Sequence, residues 1–151
     1  MAYQLLSPAI MDAVQTENKP KNGVVSKQTF RFPHGIMGFE NIKNYCLLDK
    51  EEDGPFWWLQ MLEDPELSFL LIPSQVGFPN YKPDFSREDL DLLKIENLES
   101  LMLFQVVTVH PDGRATANLK GPIILNRDNQ MGAQFVVKNA VQYAVDAPLG
   151  E

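Results

Sequence analysis

The sequence predicts a mainly β fold, a small antiparallel, barrel-like domain with one short helix. Between Leu101 and Val137, three β-rich runs are separated by two turn signals, which is the pattern of consecutive antiparallel hairpins. The first turn, Pro111–Gly113, combines a fixed proline φ with a glycine that accepts positive φ. The middle run, Ala115–Asn126, is interrupted at Lys120–Pro122, where we expect a corner because proline removes a ladder donor. A long strand bent at a corner is how a small sheet curls into a barrel.

The middle run also alternates in polarity. Apolar residues occupy one set of alternate positions, the apolar parity, with Ala117, Leu119, Ile123 and Leu125. Polar residues occupy several of the other positions, the polar parity, with Thr116, Asn118 and Lys120. Such alternation predicts one face in the core and one face in water. Asn118 is therefore expected to point outward beside Pro122, where its side chain either caps the bend or faces a partner.

Four strands are expected before this region, each bounded by turn residues. They are Val24–Phe32, Tyr45–Leu48, Phe56–Leu62 and Leu67–Ile72. The first strand ends at the Pro33–Gly35 turn, and the fourth is nearly all apolar, which predicts burial of both its faces. Pro73–Pro83 is expected to be a long loop, and Tyr143–Asp146 is the expected position of a final strand.

The one helix predicted by the sequence begins at Ser86. The Ser86 hydroxyl is placed to accept a hydrogen bond from the backbone N–H of Asp89, and acidic residues in the first turn complement the positive helix end. Its apolar side is supplied by Leu90, Leu92, Leu93 and Ile95. We expect this helix to dock across the sheet or to plug an open barrel end.

The chain divides into residues 1–22, a flexible N-terminal arm, and residues 23–151, a single β-barrel domain. In the arm, loosely helical apolar spacing is broken by Pro8 and followed by a polar stretch, so a docking peptide is the functional alternative. No apolar run is as long as the roughly 20 residues of a membrane helix, and no basic region leads into an apolar signal sequence. With a single cysteine, Cys46, this composition is expected of a cytoplasmic protein.

The formal charge of −7 is concentrated in the middle of the chain. Between Glu40 and Ser100 there are 14 acidic and 5 basic residues, a net −9, and the remainder holds 6 acids and 8 bases, a net +2. An acidic surface repels phosphate backbones, so direct RNA binding is disfavoured, and it accelerates encounter with a basic protein. A solvated acidic surface that maintains solubility is equally consistent with these numbers.

No constellation of residues indicates catalysis. His34 and His110 lie in turns without metal-ligand spacing, Cys46 has no nearby cation to lower its pKa, and no nucleophile elbow is present. We expect a non-enzyme without metal or cofactor, monomeric when free. A barrel that holds a small molecule against Trp57 or Trp58 remains the alternative.

Four stretches of the sequence resemble the FliW family of bacterial flagellar assembly factors. They are Phe30–Glu40, Pro55–Gln60, Glu63–Phe69 and Thr116–Ile123, in matching order and spacing over roughly Val24–Val145. The resemblance implies a barrel-like, non-enzymatic cytosolic protein that binds flagellin and also binds CsrA, a small RNA-binding translational repressor. It further implies that flagellin captures the protein, releases CsrA and so stops flagellin synthesis. Relative to that family, residues 1–22 are an addition.

The resemblance and the charge pattern together nominate site residues. Candidates for steering toward CsrA are the acids Asp49, Glu51, Glu52, Asp53, Glu63, Asp64 and Glu66. Candidates for meeting an apolar segment of flagellin are Phe78 and Tyr81, in a loop where apolar side chains are hard to bury. The family motif residues Phe32, Pro33, Gly35, Ile36, Gly38, Phe39 and Pro122 are expected to serve turn geometry and core packing.

Overall fold

The structure, a computed structural model, describes residues 24–149, without the side chains of residues 24–26 and 51. The arm predicted at residues 1–22 lies outside these residues. The strands are β1 (Val24–Arg31), β2 (Asn44–Lys50), β3 (Trp57–Met61), β4 (Ser68–Pro73), β5 (Leu101–Val109), β6 (Ala115–Ala117), β7 (Ile123–Asn126), β8 (Met131–Gln134) and β9 (Ala147–Pro148). The helices are α1 (Ser74–Gly77) and α2 (Arg87–Leu92), with single 3₁₀ turns at Glu51–Asp53, Leu98–Ser100 and Ala140–Gln142.

Seven of the strands close into a barrel, which confirms the predicted fold class. The order β4-β3-β2-β1-β8-β7-β5 returns on itself because β5 also pairs with β4, from Leu70 opposite Val107 to Pro73 opposite Phe104. The parallel closure of β1 on β8 is a single pair, Arg31 with Met131. Strands β6 and β9 continue from the far half of β5 as an antiparallel extension.

Three clusters of buried side chains hold this arrangement together. The barrel interior is filled by side chains of one parity from β1 to β5 and β7, with Phe30, Tyr45, Leu59, Leu71, Phe104 and Leu125 among its members. The opposite parity of β2 to β5 forms a second cluster, which β6 and the chain around Leu149 cover. A third cluster lies beneath α2, where Leu93 packs on Ile124 and Phe135. Helix α2 therefore docks on the outside of the barrel, the first of the two predicted positions.

The predicted corner is present, but the alternating polar residues of the run that contains it do not face water. Strands β6 and β7 are separated by the bend, and Thr116 and Asn118, both on the polar parity, are each only 6% exposed. The Asn118 carboxamide oxygen accepts from the backbone N–H of Lys120 at 2.9 Å and of Gly121 at 3.1 Å. Asn118 thus caps the bend, and the prediction that it points outward is wrong.

Three other predicted elements differ from the structure. The loop predicted to begin at Pro73 opens with helix α1, whose Ser74 hydroxyl accepts from the Gln105 side chain at 2.5 Å. The final strand is Ala147–Pro148 and not Tyr143–Asp146, because the chain reaches β6 only at Ala147. Strand β8 ends at Gln134, three residues before the predicted Val137. Each difference depends on a distant partner that local sequence does not specify.

The predicted helix start and the buried fourth strand are confirmed. The Ser86 hydroxyl accepts from the Asp89 backbone N–H at 3.0 Å, as a helix N-cap does. Residues Ser68 to Ile72 of β4 are all buried, since one face lines the barrel interior and the other lies in the second cluster.

Candidate protein-binding surface

The family motif after β1 forms a tight turn that packs into the barrel. Phe32 and Ile36 are in the interior cluster with 0% and 1% of their surface exposed. Gly35 and Gly38 have positive φ values of 66° and 89°, a conformation that glycine adopts without strain. The Phe39 ring packs edge-on against Phe69 at 5.6 Å between ring centroids. These contacts show how the motif serves structure, and Pro122 is likewise buried beside the bend.

The acidic loop comprises residues 49–53, which are the last two residues of β2 and the 3₁₀ turn that follows it. Asp53 is tied down, since its carboxylate accepts from the Trp58 indole N–H at 2.8 Å, and Glu52 is exposed. Asp49 is half-buried at the end of β2, and burial raises the pKa of its carboxyl group above the ordinary value. Among its described side chains, the loop therefore holds one exposed carboxylate, that of Glu52, and one that is fixed in position, that of Asp53.

The acidic turn comprises residues 63–66, between β3 and β4, and one of its acids has a structural role. The Glu63 carboxylate accepts from the backbone N–H of Lys43 at 3.1 Å and from the backbone and side-chain N–H groups of Asn44, each at 3.2 Å. Burial raises the pKa of Glu63, but these hydrogen bonds together outweigh it and lower the pKa below its ordinary value. Asp64 and Glu66 are exposed.

Glu63→Gln is expected to destabilise the fold by at most about 1 kcal/mol at pH 7, because solvent screens an exposed carboxylate, and by less at pH 3. The folded-state pKa of Glu63 is depressed, so its contribution is present above the unfolded value near 4.5 and is lost as pH falls through the folded pKa. Urea unfolding at both pH values measures the difference. Glu66→Gln, an exposed acid of the same turn, is the matched control. Equal destabilisation by Glu63→Gln at pH 7 and pH 3 would contradict the assigned role.

Phe78 and Tyr81, the candidates for an apolar contact, are both partly buried in the segment after α1. The Tyr81 hydroxyl donates to the Leu119 carbonyl at 2.6 Å, and its ring lies edge-on to Tyr143 at 4.8 Å between centroids. Burial raises the pKa of Tyr81, so the hydroxyl stays a neutral donor. Phe78 packs against the second cluster. The segment is thus a fixed surface and not a loose loop.

Two apolar grooves flank helix α1. The Phe56 groove, about 520 Å³, is lined by Pro55, Phe56, Ile72, Val76, Gly77, Ala115 and Leu149. The Trp57 groove, about 400 Å³, is lined by Trp57, Pro73 to Gln75, Phe78, Tyr81 and Leu101 to Phe104. Val76, on α1, is 56% exposed although it is a large aliphatic residue. Sequence reasoning missed Val76 and Leu149, because only the folded chain brings α1 beside the C-terminal segment.

The acidic loop and both grooves lie at the same end of the barrel. Asp49 is paired with Trp57 across β2 and β3, and Pro55 and Phe56 follow the loop directly in sequence. The acidic turn lies at the opposite end of the same strands, about 20 Å away over the length of β2. The structure therefore brings the acidic loop together with Phe78 and Tyr81, and separates the acidic turn from them.

Other functional classes find little support in the described part of the chain. Among residues 24–149, no group of three or more His, Cys, Asp or Glu side chains is arranged to hold a metal ion. Neither α1 nor α2 has the length and apolar character required to span a bilayer. Burial raises the pKa of the Cys46 thiol, which therefore stays protonated and unreactive.

Comparisons with known proteins identify relatives of this chain. The family model described as "FliW protein" matches residues 13–149, which includes the end of the predicted arm. The chain is 34% identical over 128 residues to the "Flagellar assembly factor FliW" of Leptospira interrogans. The aligned residues cover 83% of this chain and 85% of the relative.

A second relative and a solved structure indicate the same family. The protein of the same name from Caldanaerobacter subterraneus subsp. tengcongensis is 37% identical over 123 residues, 80% of this chain and 81% of its own. A crystal structure titled as the flagellar assembly factor FliW superposes with a TM-score of 0.69 at 32% identity and covers 80% of this chain and 82% of that one. The closed barrel, the motif turn and these matches together show that the chain belongs to the FliW family.

Proposed function

We propose that this chain is a flagellar assembly factor that binds flagellin in the cytosol and binds CsrA, and that the two partners exclude each other. The observation that carries the proposal is the position of the acidic loop beside the apolar grooves. The names of the relatives, flagellar assembly factors, support the first part. Exclusion of one partner by the other would let flagellin control how much CsrA is free to repress translation.

The electrostatics support the acidic loop as the CsrA-facing surface. Residues 49–53 hold four acids and one lysine, a net charge of −3. A basic RNA-binding partner is attracted to such a surface, and the same field repels RNA from the complex. The carboxylate of Asp53 is fixed by Trp58, which keeps part of this charge in a defined position.

The grooves support an apolar flagellin segment as the second partner. Apolar side chains lie on and around α1: Val76 and Leu149 line the Phe56 groove, and Phe78 and Tyr81 line the Trp57 groove. Contact hot spots form where apolar and aromatic groups are buried in well-packed pockets. Because Pro55 and Phe56 join the acidic loop to the Phe56 groove, a protein that covers one of these surfaces overlaps the other.

A competition experiment tests exclusion. CsrA bound to the immobilised chain is expected to dissociate fully as flagellin is added to saturation. A stable ternary complex would refute exclusion while leaving each binary interaction intact. If neither protein binds the chain alone, the proposed function itself is wrong.

Neutralising the acidic loop is expected to slow association with CsrA about tenfold at low ionic strength, with little change in dissociation. The variant is Asp49→Asn, Glu51→Gln, Glu52→Gln and Asp53→Asn, in which Asn at position 53 keeps an oxygen for the Trp58 indole. Stopped-flow association at two salt concentrations measures the effect. Asp64→Asn with Glu66→Gln removes charge at the opposite end and is the comparison variant. If CsrA association were slower only in that comparison variant, the acidic turn and not the acidic loop would be the surface that CsrA approaches.

Val76→Asp is expected to weaken flagellin binding tenfold or more, about 1.4 kcal/mol, because it places a charge on the wall of the Phe56 groove. Val136→Asp is a matched control, since Val136 is 57% exposed against 56% for Val76 and lines neither groove. Isothermal titration with flagellin measures both affinities. Val76→Asp should also prevent flagellin from displacing CsrA. Equal losses in the two variants would remove the groove from the flagellin surface.

A second candidate function, a small-molecule-binding barrel, is favoured by the Trp57 groove. Its volume of about 400 Å³ is within the range of ligand sites, and Trp57 lines it. The barrel interior, however, is filled by buried aromatic and aliphatic side chains, so the groove is an outer surface feature. A saturable change in tryptophan fluorescence with small apolar ligands, lost in Trp57→Leu, would support this function.

A further inference from the structure

The Phe56 groove is an apolar surface. The position at which β1 begins indicates which segment of the chain could bind there. Val24, the first described residue, pairs with Lys50, the residue before the 3₁₀ turn of the acidic loop. From β1, the strands β2, β3 and β4 follow as successive neighbours. Three strand spacings of about 4.8 Å place the groove residue Ile72 about 14 Å from the start of β1. The chain therefore enters the barrel at the end that carries the groove.

The residues immediately before β1 complement the acidic loop in charge. Residues 18–22 contain Lys19 and Lys21 and no acid, a net +2, and the acidic loop carries −3. Val24 lies opposite Lys50, so the start of β1, which this basic stretch precedes in sequence, is next to the acidic loop. At about 3.3 Å per extended residue, the six residues 18–23 span about 20 Å, enough to reach the groove. The charge and the length of this stretch are therefore suited to connecting β1 with a segment bound beside α1.

The sequence before the basic stretch has the chemistry of a groove ligand. Pro8 interrupts the helical spacing that begins at Leu5, but Ser7 followed by Pro8 is also a signal for the start of a new helix, with serine as the N-cap and proline as the first residue. Ile10, Met11 and Val14 then follow at helical spacing on one face. An amphipathic segment of this kind binds to an apolar groove through residues at such spacing.

We propose that residues 5–14 bind in cis to the Phe56 groove and compete there with the protein partner. The binding itself is independent of the proposed function, and its regulatory consequence rests on that function. A partner must displace the segment before it reaches Phe56, Val76 and Leu149. Its apparent affinity is therefore reduced by the fraction of molecules in which the groove is free.

Paramagnetic relaxation in the full chain tests the position of the segment. A nitroxide on Ala9→Cys is selective, because the native Cys46 is 1% exposed. We expect broadening of the backbone amides of Val76 and Gly77 and none at Leu62, which lies at the opposite end of β3. Absence of broadening at Val76 would overturn the proposal. Broadening of a ¹⁵N-labelled chain by a separately spin-labelled copy would overturn it too, because a second copy would then be the occupant.

Matched variants separate groove binding from nonspecific proximity. Ile10→Asp and Val76→Asp should each abolish the broadening, whereas Gln15→Asp and Val136→Asp add the same charge elsewhere and should leave it. Ile10→Asp should also increase flagellin affinity about three- to tenfold through release of the groove. Unchanged affinity in Ile10→Asp would overturn the competition but not the docking. A chain that binds no flagellin in any variant would refute the proposed function, and the relaxation data would still decide the docking.

Discussion

Gly35→Ala is expected to lower the free energy of unfolding by about 3 kcal/mol or more, which would leave much of the protein unfolded near physiological temperature. Gly35 has φ of 66°, and a Cβ atom at this position would lie 2.6 Å from the Phe39 carbonyl oxygen and 2.7 Å from Glu40 Cα. Both neighbours are backbone atoms of the same turn, and the Phe39 N–H is bonded to the Ile36 carbonyl at 2.6 Å. The turn therefore cannot yield to a methyl group without losing its hydrogen bonds.

Gly54→Ala is the control for this substitution. Gly54 has nearly the same φ, 62°, and a Cβ atom there would meet nothing within 4 Å. The decrease in the free energy of unfolding of Gly54→Ala should be limited to about 1 kcal/mol, the cost of the left-handed conformation. Urea unfolding followed by tryptophan fluorescence measures both variants. Equal losses would show that φ alone, and not the close approach within the motif turn, requires glycine at position 35.

Gly132→Ala is expected to lower the free energy of unfolding by about 2–3 kcal/mol through overpacking of the barrel interior. A Cβ atom on Gly132 would lie 2.5 Å from the Phe32 ring and 2.7 Å from the Leu125 side chain. Phe32 is fully buried, and its ring lies 4.8 Å from the Tyr45 ring between centroids. The phenylalanine therefore occupies the space that only glycine leaves open on β8.

A double-mutant cycle tests this contact. Phe32→Leu alone should cost about 1–2 kcal/mol because it leaves a cavity. In the double variant the alanine methyl group fills part of that cavity, so the combined loss should be smaller than the sum by about 1 kcal/mol or more. Chemical unfolding of the four proteins gives the coupling energy. Losses that add within about 0.5 kcal/mol would mean that Phe32 and Gly132 do not constrain each other.

The two predictions also bear on how the family motif contributes to function. Phe32, Gly35 and Ile36 point into the barrel or shape its turn, and the acidic loop and grooves lie on other strands. In Gly35→Ala, partner binding should therefore decrease only in proportion to the fraction of folded protein. Partner affinity per folded molecule should stay unchanged. A binding defect at full occupancy of the folded state would give the motif turn a direct role in recognition.

Local sequence determined the parts of this protein whose causes are local. Alternation and turn residues located β1 to β5, and the Ser86 cap located the start of α2. The charge imbalance identifies the acidic loop from the sequence alone. Each of these features depends on residues within a few positions of one another, so the pattern carries the information by itself.

Tertiary structure alone decided which surfaces meet. Asn118 is buried although it lies on the polar parity of its run. The neighbouring Leu119 is hydrogen-bonded to the Ala144 carbonyl and to the Tyr81 hydroxyl, and polarity along one strand cannot show that such distant segments will lie beside it. The pairings of β4 with β3 and with β5 bring α1 beside Phe56 and Leu149, and so create the Phe56 groove next to the acidic loop. Pairings between residues far apart in sequence are chosen by the packing of the whole chain, which is why the sequence identified the acids and aromatic residues but not their common surface.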